Sequence, residues 1–147
     1  MTVEVQVASA MTGLPDVAVI VGWADSVRKL LGTQTSEVCI RIVDETEGRS
    51  LNAQYRQLEK PTNVLSFAAD VDVPDLHVLG DIVICAPVVG QEANEQQKLL
   101  AHHFAHMVVH GMLHLHGYDH EDDEEAKEME SLEAEVLAGF GIAHPYQ

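Results

Sequence analysis

Nine histidines occur in 147 residues, and six of them lie between His102 and His116, with His120 just beyond. His102, His106, His110 and His114 follow one another at four-residue intervals, so on a helix they form a single stripe. The segment His110-Gly111-Met112-Leu113-His114-Leu115-His116-Gly117-Tyr118-Asp119-His120 can do chemistry. Two imidazoles four residues apart share one helix face and can chelate a single ion. Gly117 lets the chain leave the helix through a left-handed residue, which can bring His120 to the same ion. Three neutral imidazoles with an open fourth position describe a catalytic zinc site rather than a closed structural one. The offsets match the zinc-endopeptidase pattern H-E-x-x-H-x-x-G-x-x-H, except that Gly111 stands where the general-base Glu would be. Peptide hydrolysis by that route is therefore disfavoured, whereas a reaction using metal-bound hydroxide or another base is not. His116, two residues after His114, points elsewhere around the helix. His77 and His144 read as ordinary partly buried histidines.

These side chains need a scaffold. Val3–Val7 alternates as a strand, and a helix runs from Pro15-Asp16 to about Leu31, stopped by Gly32. Glu37–Val43 reads as a second strand, Ser50–Leu58 as a helix, and Asn63–Phe67 and Ile82–Cys85 as short strands. Asp70–Asp75 is an acidic loop. One long helix is expected over about Glu92–His116, with strong helix formers and no internal proline, and another over about Asp122–Phe140. In the latter, Ala126, Met129, Leu132, Val136, Leu137 and Phe140 recur at three- and four-residue spacing, and its acidic residues read as a solvated face. The fold expectation is a mixed α/β or α+β single compact domain over residues 1–147. A small sheet of about four strands packs with helices, and the metal site sits at the end of a long helix.

Composition narrows the class. A chain that is 46% hydrophobic can bury a core and is not a disordered sequence. No apolar run approaches the roughly 20 residues that span a bilayer, and the start lacks a signal-peptide pattern. Cys39 and Cys85 offer no disulfide framework, so a soluble, reducing, cytoplasmic setting is expected. The net charge of −16 is unevenly spread. Ten of the 24 acidic residues fall between Asp119 and Glu135, while Arg28, Lys29, Arg41, Arg49, Arg56 and Lys60 make up six of the eight bases. Such polarity permits a local anionic-ligand site, if the fold gathers those bases on one face.

The histidine motif resembles the signature of the YbeY family of rRNA-maturation endoribonucleases. Leu51-Asn52, Tyr55-Arg56 and Pro61–Phe67 form a second matching block, and Leu79–Ile84 a third, so the resemblance covers most of the chain from about Glu37. Asn63 stands where many members have Asp. The resemblance implies a zinc-dependent, single-strand-specific endoribonuclease acting in small-subunit rRNA 3′-end processing and ribosome quality control. It implies one Zn2+ per chain on His110, His114 and His120, with Arg56 and His114 as the residues carrying catalysis. Single-stranded rRNA, the small ribosomal subunit and its associated proteins are the implied partners, with no membrane or DNA. In that mechanism zinc lowers the pKa of bound water to roughly 7, and Arg56 holds a phosphate. His106 is a candidate base, a residue supporting a ligand from behind, or a packing residue, and Asp119 orients a ligand or caps the next helix. The alternatives are a non-enzymatic zinc-stabilised assembly factor and a zinc hydrolase of another substrate.

Overall fold

A computed structural model describes residues 3–33, 36–56, 62–69, 78–119 and 122–146, with Tyr55 and Arg56 described by backbone alone. In chain order it contains β1 (Val3–Ala8), α1 (Val17–Leu30), β2 (Glu37–Val43) and α2 (Glu45–Arg56). Then come β3 (Val64–Ala68), β4 (Val78–Cys85), α3 (Ala86–Glu95), α4 (Leu100–Leu115) and α5 (Asp123–Ala138). The strands form one mixed sheet in the order β1-β2-β4-β3, with β1, β2 and β4 parallel and β3 antiparallel to β4. This is the expected mixed α+β arrangement of a four-stranded sheet with helices. His77, Lys60 and the acidic loop over 70–75 lie outside the described residues.

Alternation along the strands divides the core. Ile40, Ile42, Ile82 and Ile84 point to one face and pack with Ile20, Trp23 and Val27 of α1 and Phe104, Val108 and Met112 of α4. Val43, Val83, Cys85 and Leu65 point to the other face, where Leu51 of α2 packs against them. Each such fully buried aliphatic or aromatic side chain contributes about 1.5–3 kcal/mol. Helix α4 is buried along most of its length from His103 to Leu115, which holds the helix that carries the histidine stripe against the sheet and α1. Cys39 and Cys85 are both free thiols.

Helices α3 and α4 replace the single long helix expected over Glu92–His116. The chain breaks at Gln97, which adopts a left-handed φ of 57°. The amide of Lys98 donates to Ala93 O at 2.9 Å and that of Gln97 to Asn94 O at 3.3 Å, which is the Schellman closure. The same closure ends α4, where Tyr118 N donates to Leu113 O and Gly117 N to His114 O, with Gly117 at φ +91°. Glycine announces the second stop; glutamine conceals the first. Helix α2 begins earlier than expected, at Glu45, because Glu45 and Glu47 suit the positive end of its first turn. In α5 Asp122 is the N-cap, accepting from Glu125 N at 2.8 Å.

Candidate metal centre

His110 and His114 lie on the last turns of α4, and their Nε2 atoms face each other at 3.1 Å with the rings at 84°. Behind this pair His110 Nδ1 donates to Glu133 Oε1 at 2.9 Å. Glu133 lies on α5 and is fully buried. Its other oxygen, Oε2, accepts from His106 Nε2 at 2.5 Å and from the Tyr146 hydroxyl at 2.7 Å. Burial alone pushes the Glu133 carboxyl upward. The hydrogen bonds from His106 and His110 outweigh burial and, with Tyr146, hold its pKa at about 2. The Tyr146 phenol is pushed well above its ordinary range by burial and by the Glu133 carboxylate.

An ionised carboxylate only accepts, so the proton of His110 resides on Nδ1 and that of His106 on Nε2. The Nε2 lone pair of His110 is consequently directed at His114. Two ligand nitrogens at zinc–nitrogen distance and tetrahedral angle stand about 3.3 Å apart; the observed 3.1 Å needs only a slight opening. The donor set therefore fits a divalent cation that favours imidazole. His106, His110 and Glu133 also present ligand-capable atoms within 4.8 Å of one another.

The other expected residues sort as follows. His120 and the side chain of Arg56 lie outside the described residues, although the backbone of Arg56 ends α2. His116 turns away: its Nε2 is 2.8 Å from Thr33 Oγ1 and its Nδ1 2.7 Å from Met112 O. His106 is buried and engaged by Glu133 and Tyr146, an environment that matches a supporting or packing role. Tyr118 packs at the edge of the core. Asp119 lines a cavity of about 270 Å³ with His116, Glu125 and Glu128. Gly111 is buried where α4 crosses the sheet, and a Cβ there would stand 3.0 Å from Ile82 Cγ2 and 3.3 Å from Ser66 Oγ. The missing glutamate thus has a packing reason, because even a Cβ is crowded between helix and strand and a longer side chain would have to displace Ile82.

Whether the bases share one face was left open by the sequence, and among the described residues Arg28 and Arg41 do not. Arg28 is buried on α1, bound to Asp25 and to Ser36 O. Arg41 points to the opposite side of the sheet, where Glu47 Oε1 accepts from it at 2.9 Å and Gln6 Oε1 at 3.1 Å. Helix α1 packs on the Ile40 and Ile42 face of the sheet, alternation along β2 puts Arg41 on the other face, and a carboxylate pairs with each. Lys29 and Arg49 remain exposed.

Sequence reasoning missed Glu133, which it assigned to the solvated acidic face. Its position four residues after Met129 and four before Leu137 places it on the buried stripe of α5, and that register was the available signal. It also missed a cluster between α3 and α4. Glu92 Oε1 lies 3.0 Å from His103 Nε2 and accepts from Asn63 Nδ2 at 3.1 Å.

Burial pulls the His103 imidazole below its ordinary value of 6.5; Glu92 pulls it up, and the charges of His106 and Lys98 add to the lowering. The folded state therefore holds this proton less tightly than the unfolded chain, and stability falls as pH drops below about 6.5. Denaturant unfolding of the metal-free protein at pH 7.5 and 5.5 is expected to show a lower midpoint at pH 5.5. The drop should be smaller in His103→Gln.

The sequence profile of the family described as Endoribonuclease YbeY matches residues 17–141. The Endoribonuclease YbeY of Alteromonas mediterranea is 48% identical over 154 aligned residues, covering 99% of this chain and 98% of that protein. The solution structure of TM1509 from Thermotoga maritima superposes with a TM-score of 0.61 at 25% identity, over 93% of this chain and 91% of that one. Among the described residues no helix is long and apolar enough to cross a membrane. With a match over most of its length and a near full-length relative at this identity, the chain belongs to the YbeY endoribonuclease family.

Proposed function

We propose that this chain, an endoribonuclease of the YbeY family, is a single-domain, zinc-dependent enzyme that cleaves single-stranded RNA. Its proposed setting is the cytoplasm, maturing the 3′ end of small-subunit rRNA and acting in ribosome quality control with the small subunit and its associated proteins. The observation that supports the metal-dependent reading is the facing Nε2 pair of His110 and His114, anchored from behind by a buried carboxylate. His110, His114 and His120 would hold one zinc ion, and when bound it would supply an acidified water and a polarising charge for a phosphoryl oxygen.

The remaining work falls to this chain. His110 keeps its Nε2 free of a proton because Nδ1–H is committed to Glu133. Packing of α4 against the sheet at Gly111 keeps the pair rigid. Arg56, following Tyr55 at the end of α2, would bind a phosphate of the strand and offset charge gathering in the transition state. The strongly acidic surface of α5, with Asp123, Glu124 and Glu125 in its first turn, would repel RNA and suits a basic ribosomal protein instead.

The test is cleavage of single-stranded against fully paired RNA by zinc-loaded wild type and Arg56→Ala, with zinc measured in both. Wild type should carry about one zinc and cut the single strand. Arg56→Ala should retain zinc while losing roughly 10²–10³-fold in rate, the usual effect of removing one charge-stabilising donor. Full zinc without cleavage, even with added small subunits, would favour an assembly factor whose metal is structural.

A further inference from the structure

The carboxylate behind the histidine pair is the least expected group in the molecule. Burying an ionised carboxylate is costly unless it is fully hydrogen-bonded. Glu133 has no exposed surface, yet it accepts from three side chains: His106 and His110 of α4, and Tyr146 in the segment after α5. Such an arrangement does more than join helices, because apolar side chains at 129, 136 and 137 already pack α5 into the core. An apolar residue at 133 would do the same without the desolvation cost.

The hydrogen bonds have directional consequences. Among the described residues Oε1 serves His110, whereas Oε2 serves both His106 and Tyr146. Three of the roughly four acceptor sites of the carboxylate are thus taken by donors, and the donor on Oε1 is the ring that carries the facing Nε2. Holding the proton of His110 on Nδ1 leaves Nε2 as the basic atom, and Nε2 is the atom that faces His114 at 3.1 Å.

We propose that Glu133 is a positioning residue for the metal centre: it locks His110 in the Nδ1–H tautomer and in the rotamer that aims Nε2 at His114, while His106 and Tyr146 lock Glu133. The inference rests on the reading of His110 and His114 as metal ligands, since carboxylates behind ligating imidazoles set their tautomer and basicity. Tyr146 extends the arrangement to the last turn of the chain, which Lys98 Nζ also holds through Pro145 O at 3.4 Å.

The experiment has two arms. In the first, zinc is titrated into metal-free wild type, Glu133→Ala, Glu133→Gln, His106→Ala and His114→Ala against a chromophoric chelator. Glu133→Ala should bind roughly 10–100-fold more weakly, the usual loss when such a supporting partner is removed. Glu133→Gln should lie between it and wild type, since its one remaining carbonyl oxygen can still accept from His110. His114→Ala should lose binding altogether. In the second arm, nitrogen-15 chemical shifts of the His110 ring report its tautomer in metal-free protein. Wild type should show Nδ1–H, and Glu133→Ala a mixture that includes Nε2–H.

An unchanged zinc affinity in folded Glu133→Ala, with an unchanged tautomer, overturns the proposal. So does loss of binding in Glu133→Gln and His106→Ala as complete as in His114→Ala, which would make Glu133 and His106 ligands. If wild type takes up no zinc, the metal reading fails, and the tautomer arm still decides whether Glu133 positions His110. Should Glu133→Ala not fold, Glu133→Gln and Tyr146→Phe carry both arms, with Tyr146→Phe giving a smaller loss in the same direction.

Discussion

Replacing His114 by alanine is expected to abolish RNA cleavage, by at least about a thousand-fold, and to remove the metal together with it. The reason is geometric. His110 cannot hold a divalent ion alone from a helix, and His114 is the partner that faces it at Nε2–Nε2 distance 3.1 Å. The substitution should leave the fold standing, because His114 is only half-buried and the neighbouring core residues Leu113 and Met112 are untouched. Circular dichroism of the metal-free variant should therefore match that of metal-free wild type, while metal analysis after dialysis should find less than a tenth of an equivalent. A variant that keeps stoichiometric zinc would transfer the site to other residues, the His106, His110 and Glu133 group first among them.

Gly111→Glu should have the second large effect, and it acts on the fold rather than on the metal. This substitution would restore the protease-like H-E-x-x-H spacing, yet the site has no space for it. A Cβ at 111 already stands 3.0 Å from Ile82 Cγ2 and 3.2 Å from Ile82 Cδ1, and Ile82 is itself fully buried in β4. Overpacking of this kind costs about 1–3 kcal/mol, and a buried, unpaired carboxylate adds several more. The sum is a large share of the 5–15 kcal/mol by which domains of this size are stable. Thermal unfolding should find Gly111→Glu largely unfolded at 37 °C. Gly111→Ala separates the terms, since it keeps the crowding without the charge and gains roughly 1 kcal/mol of helix propensity. A well-folded Gly111→Glu would show that α4 can lift from the sheet, contrary to the packing described above.

Several elements were legible because a short-range physical rule fixes them. Strand β2 falls on Glu37–Val43 as its β-branched run predicts, and Gly117 ends α4 through the left-handed residue that glycine favours. The i,i+4 spacing of His110 and His114 on a helix leaves the two rings on one face, whatever else the chain does. The break at Gln97 was invisible for the opposite reason. Local propensity disfavours a left-handed glutamine by about 1–2 kcal/mol, and hydrogen bonds from the Gln97 and Lys98 amides offset it only once α3 and α4 have packed separately.

The basic residues show where sequence order is silent. Arg28 and Arg41 are 13 positions apart, yet one joins the α1 layer beneath the sheet and the other lines a cavity of about 470 Å³ on the opposite face. Each already has a carboxylate partner, Asp25 or Glu47. Neither fact can be read from spacing, because strand alternation sets the face only once the sheet exists.

The facing of the histidine pair and the stop of its helix at Gly117 were thus determined by the sequence itself, since contacts four residues apart belong to the helix. What surrounds the pair was decided by the tertiary structure alone. Glu133 lies 23 residues beyond His110 and Tyr146 another 13 beyond Glu133. Only the packing of α5 on α4 converts one member of an acidic run into a buried acceptor. Its environment, not its type, distinguishes it from the carboxylates around it: full burial requires three donors, and the fold supplies them at one point.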